Sequence, residues 1–202
     1  MFNRLVFLIA ASLLACTASA ETWTFKGQIV EWPAGKTGVL KMYPGADLRY
    51  IPVGAISLLE TQIDSKGQFI LTLPKEGIKA TLTKEFLLLG DPKTCQHQSK
   101  SQAVRVVPMT FVIFNSKGQN IDNLEISIPG DPPQTLSVFY ASQSANLSAV
   151  CGVDRSMVLS VQIKTGWNLL ILKQNSSGVM LNSVKQLPEG VIWESTLHLK
   201  YL

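Results

Sequence analysis

Apolar residues recur with a period of two along most of this chain, and that alternation restricts it to half-buried β-strands. Trp23, Phe25 and Ile29 fall on one side, with Thr24, Lys26 and Gln28 on the other. Phe69, Leu71 and Leu73 alternate with Gln68, Ile70 and Thr72. Met157, Leu159, Val161 and Ile163 alternate with a mostly polar set, and Val191, Trp193, Leu197 and Leu199 oppose Glu194, Thr196 and His198. Such strands need a core on one face and water on the other. Leu169 to Leu172 is apolar on both faces, as a strand inside a sheet must be. No long amphipathic helical pattern follows the first twenty residues.

The punctuation is that of antiparallel hairpins. Asp64-Ser65-Lys66-Gly67, Asn115-Ser116-Lys117-Gly118 and Asn175-Ser176-Ser177-Gly178 each put a glycine where a turn needs positive φ. The first two share Ser-Lys-Gly-Gln. Their flanks do not repeat, so common turn chemistry explains the match better than duplication does. The expected fold is all-β: antiparallel β-sandwich units, two in tandem, behind an N-terminal signal helix. Asp91-Pro92 ends one apolar segment, and Thr94 to Gln102 is polar apart from Cys95. The expected division is therefore residues 21–91, a linker over 92–103, and a second unit over 104–202, with a single larger sandwich as the alternative.

The first unit carries a resemblance. Gly27-Gln28-Ile29-Val30, Gly38-Val39-Leu40 and Ser65-Lys66-Gly67-Gln68-Phe69-Ile70-Leu71-Thr72-Leu73-Pro74 are similar to the carboxypeptidase-regulatory or transthyretin-like β-sandwich repeat, over about residues 25–77. That family opens with a glycine-initiated strand and later runs through a glycine, a phenylalanine and alternating apolar residues to proline. The resemblance implies a non-catalytic module that stabilises, presents or binds. The second unit resembles no family that its motifs identify.

The N-terminus reads as a signal peptide over residues 1–20. Arg4 gives a short positive start, and Leu5 to Ala15 is an apolar run of eleven residues, too short to span a bilayer. Ala18-Ser19-Ala20 then suits cleavage between Ala20 and Glu21. A second cut competes: Leu13-Leu14-Ala15-Cys16 resembles the lipobox of bacterial lipoproteins, in which the cysteine is acylated. Only Thr17 to Thr22 would separate that anchor from Trp23, short for a tether, so the Ala20 cut is preferred. The expected location is outside the cytoplasm, periplasmic or extracellular, with an outer-membrane-anchored lipoprotein as the alternative. Either cut removes Cys16 from pairing. Cys95 and Cys151 remain as an even pair in an oxidising compartment and are expected to form a disulfide.

Several function classes lack their residues. The 18 Lys and Arg, one of them Arg4, are scattered against 14 Asp and Glu, so nucleic acid is not an expected partner. Gly35-Lys36-Thr37 lacks the glycine five positions earlier that a phosphate loop needs, since Val30 stands there, and reads as a turn. His97 lies two residues from Cys95, but Cys-x-His alone cannot complete a zinc site. His198 falls on the polar face of the last strand, and no G-x-S-x-G elbow is present. No cofactor, metal or catalytic centre is expected. Asn146-Leu147-Ser148 and Asn175-Ser176-Ser177 fit a glycosylation pattern that matters only in a eukaryote. Trp32, Tyr43 and Tyr50 lie in or beside loops of the first unit and are the candidate aromatic platform for a sugar or peptide. The sequence thus points to an exported cell-envelope protein that serves as a binding or structural accessory for another envelope protein or a surface ligand. It would meet the membrane only through an acylated Cys16. A periplasmic or secreted hydrolase with a dispersed site is the competing class.

Overall fold

A computed structural model describes residues 23–45, 55–75, 78, 87–98, 100–152, 157–176 and 178–195. Among these residues the chain is all-β, with fourteen strands and no helix. The segment expected to be a signal peptide, with Cys16, Ala20 and Glu21, lies outside them, as do Tyr50 and His198. β1 (Thr24–Gln28) and β4 (Gln68–Thr72) pair as a two-stranded ribbon. One large sheet holds the rest. It starts at β3 (Leu59–Ile63) and runs through β2 (Gly38–Pro44), β7 (Val104–Asn115), β8 (Asn120–Ile128) and β9 (Gln134–Ala141). It continues through β12 (Gly166–Asn175), β13 (Gly178–Val184), β11 (Met157–Ile163) and β10 (Ala145–Cys151) to β6 (Cys95–His97). β5 (Leu87–Leu89) adds to the start of β7, and β14 (Ile192–Ser195) adds to β8. Ladder pairs are antiparallel except β11 with β13, which is parallel.

The side-chain alternation resolves into two cores that share strands. In β7, Val107, Met109, Phe111 and Ile113 enter the first core. Val104 and Val106, of opposite parity, enter the second. β9 divides in the same way, with Leu136 and Val138 in the first core and Ala141 in the second. In β12 the split falls between neighbours: Leu169 packs into the first core and Leu170 into the second. Because successive residues of a strand point to opposite faces, these strands are covered on both sides. That is the physical content of the unbroken apolar run at 169–172.

The β1–β4 ribbon covers the first core, where the Trp193 indole is packed by the rings of Phe25, Phe69 and Phe111 at centroid distances of 6.2, 4.9 and 5.9 Å. Trp167 ties the far end of the ribbon down, its Nε1 donating to the Pro74 carbonyl at 2.8 Å. β10 and β11 supply Leu147, Ala149, Leu159, Val161 and Ile163 to the second core. Each fully buried aliphatic side chain of this kind contributes roughly 1.5–3 kcal/mol. The one buried carboxylate of the described core, Asp122, accepts hydrogen bonds from the Asn123 backbone N–H and from Ser195 Oγ.

Residues 92–103 hold β6, and Cys95 is bonded to Cys151, its direct cross-strand neighbour on β10, with Cα atoms 4.0 Å apart. The disulfide expected from the cysteine count is present. Strands from both sides of this stretch share one ladder, since β2 lies against β7 from Gly38 to Pro44.

Candidate binding groove

Of the three aromatic residues singled out in the sequence, Trp32 and Tyr43 are described and Tyr50 lies outside the described residues. Trp32 packs over two glycines: a Cβ built on Gly67 would lie 2.6 Å from Trp32 Cβ, and one on Gly38 would lie 3.0 Å from Trp32 Cη2. Its Nε1 donates to the Lys36 carbonyl at 2.9 Å, so Trp32 pins the Gly35-Lys36 turn. Tyr43 sits five residues beyond Gly38 on β2, about 17 Å away at strand rise. It is buried and tilts against Phe114 at 6.4 Å. Burial pushes its hydroxyl above the usual tyrosine range; Lys41 opposes that rise and Glu60 adds to it. Next to it Lys41 Nζ reaches Glu60 Oε1 at 2.7 Å and lies 5.0 Å above the Phe114 ring. Hydrogen bonds from Lys41 and then Ser57 hold the Glu60 carboxyl below its ordinary range.

The larger opening lies elsewhere, between the ribbon, the end of β3 and the 187–191 segment. It is an open groove of about 820 Å³. Polar side chains on its walls are Lys26, Gln28, Thr61, Gln62, Asp64 and Gln68, and Ile70, Leu187, Pro188 and Val191 add apolar surface. Its geometry follows from a missing ladder. β4 pairs with β1 on one edge, and its other edge faces β3 without ladder pairing among the described residues. One side-chain bond spans that seam, Thr61 Oγ1 donating to the Ile70 carbonyl at 2.7 Å. The Ile70 side chain itself is 57% exposed.

The Asp64–Gln68 turn closes one end of the seam. Asp64 Oδ1 accepts the backbone N–H of Lys66 and of Gln68, both at 2.8 Å, and Gly67 turns with φ 78°. Asn115 does the same for Lys117 and Gln119, both at 3.0 Å, with Gly118 at φ 75°. The Ser-Lys-Gly-Gln repeat is therefore shared turn chemistry, an Asx cap on a tight turn. The period-two pattern of β4 put Ile70 on its outer face, but only the pairing reveals that this face borders an open seam. No signal in the sequence singles out residues 187–191.

Among the described residues no group of three His, Cys, Asp or Glu side chains could hold a metal ion. No described helix is long and apolar enough to cross a membrane. No family model, curated protein or solved structure matches the chain.

Proposed function

We propose that the chain is an exported cell-envelope protein that acts as a binding or structural accessory, taking an extended segment of another envelope protein into the β3–β4 groove. The observation that carries this reading is the seam itself. A strand edge without a ladder, beside mixed polar and apolar walls, can give main-chain hydrogen bonds to an incoming segment and a pocket for its side chains. The disulfide fits an oxidising compartment, and the N-terminal pattern supports release after Ala20. The transthyretin-like resemblance of residues 25–77 agrees with a module that presents or binds.

A photo-crosslinking amino acid placed at Ile70, in the chain produced with its own N-terminus in an envelope-bearing bacterial host, tests the proposal. The expected result is a discrete crosslinked protein from Ile70 and none from the exposed turn residue Lys117. Equal crosslinking at both positions, or none at Ile70, overturns it. Intact mass of the same material should start at Glu21; a diacylglyceryl mass on Cys16 would show a membrane anchor instead.

A further inference from the structure

On the other side of the molecule, three elements bring a serine onto a histidine. β6 ends at His97, the following turn carries Ser101, and Gly90 lies in the turn after β5. His97 Nε2 is 2.6 Å from the Gly90 carbonyl oxygen, and Nδ1 is 3.1 Å from Ser101 Oγ. A carbonyl can only accept, so Nε2 donates to Gly90, and in the uncharged form of the ring this leaves Nδ1 without a hydrogen. Nδ1 is then the acceptor, and Ser101 donates its hydroxyl hydrogen to it. Ser101 Oγ also accepts the Ser148 backbone N–H at 2.8 Å, a donor that favours negative charge on that oxygen.

This is the order nucleophile, base, orienting group on which serine acyl transfer depends, with a backbone carbonyl as the orienting group. The arrangement is held firmly. The Cys95–Cys151 bond fixes β6 two residues before His97. Gly90 has φ 74°, and a Cβ there would lie 2.5 Å from Leu147 Cδ1, so the carbonyl that orients the ring is set by packing. Lys100, immediately before Ser101, takes φ 65°, a backbone state that costs a side-chain-bearing residue roughly 1–3 kcal/mol and gathers at functional sites. Ser101 lines an open cleft of about 450 Å³, together with Lys100, Asn146 and Gln162.

We infer that Ser101 is a base-activated nucleophile that accepts acyl groups from small esters, with His97 as its base and Gly90 as a positioning residue. Ser101 Oγ bonds to the acyl carbon as its proton passes to His97 Nδ1, and the ester C–O bond breaks as that proton moves to the departing alcohol. Water reverses the sequence and releases the acid. None of these residues lines the β3–β4 groove, so this inference and the accessory reading stand or fall separately.

The test is labelling of the full, oxidised chain with a fluorophosphonate, followed by peptide mapping. One phosphonyl group on Ser101 is expected, with Ser101→Ala unlabelled and His97→Gln slowed by about 100-fold or more. Prior incubation with p-nitrophenyl acetate should protect Ser101 by acetylating it. Mapping the unmutated chain decides the matter even if a variant fails to fold. No adduct on Ser101, or an unchanged rate in a folded His97→Gln chain, overturns the inference.

Discussion

Gly67 and Gly118 occupy the same position in two turns with the same hydrogen bonds, which makes them a controlled pair. Both have φ near 75°, where an L side chain costs roughly 1–2 kcal/mol. Their surroundings differ. Nothing lies within 4 Å of a Cβ built on Gly118, while one on Gly67 meets Trp32 Cβ at 2.6 Å and Cγ at 2.8 Å. Gly118→Ala should therefore lose about 1–2 kcal/mol, and Gly67→Ala a further 1–3 kcal/mol from overpacking. Urea unfolding of the two variants measures the gap; equal losses would mean that Trp32 yields without cost. At this scale the sequence was readable in part. The glycines and the Asx residues announced the turns, but not the indole laid across one of them. Trp32 stood out as a binding candidate because a loop aromatic is visible in a sequence and the glycine beneath it is not.

Among the elements, β6 is the one whose placement depends most on a covalent bond. It is three residues long, sits at the end of the sheet order and, among the described residues, pairs only with β10. Three pairs of a terminal strand give little purchase on their own. The Cys95–Cys151 bond closes a loop with a sequence separation of 56, worth roughly 4 kcal/mol in the loop-entropy model. Replacing both cysteines with alanine should lower stability by about that amount, and amide exchange should rise first at Gln96 and Gln98, which lie on β6 and just after it. Unchanged protection there would show that the His97 and Ser101 hydrogen bonds hold the strand unaided. The cysteine count and compartment argument pointed to this pair. They could not show that the polar stretch around Cys95, expected as a linker over 92–103, contains a strand, because Cys95-Gln96-His97 is too short to display a period.

For the whole molecule the decisive fact is that β7, β9 and β12 each serve both cores. Alternation tells which residues share a face, and it correctly marked Leu169 to Leu172 as covered on both. It cannot tell that the two faces belong to different cores, because that depends on how far-separated strands return: β2 against one half of β7, β5 against the other. Shared strands couple the cores energetically, since a strand cannot leave one core while remaining paired in the other. Leu169 and Leu170 test this directly, being adjacent and both fully buried. Each change to alanine should cost about 2–5 kcal/mol. If the cores are coupled, Leu170→Ala, a lesion in the second core, should lower the transition reported by Trp193 fluorescence in the first. Amide exchange in β10 and β11 should collapse at the same denaturant concentration. Two separated transitions, with Trp193 unmoved by Leu170→Ala, would instead describe two independent units, as the expected division around residues 92–103 supposes. A single transition would mean that the groove on the first core and the Ser101–His97 pair beside the second are held by one cooperative structure, so that loosening either core weakens both.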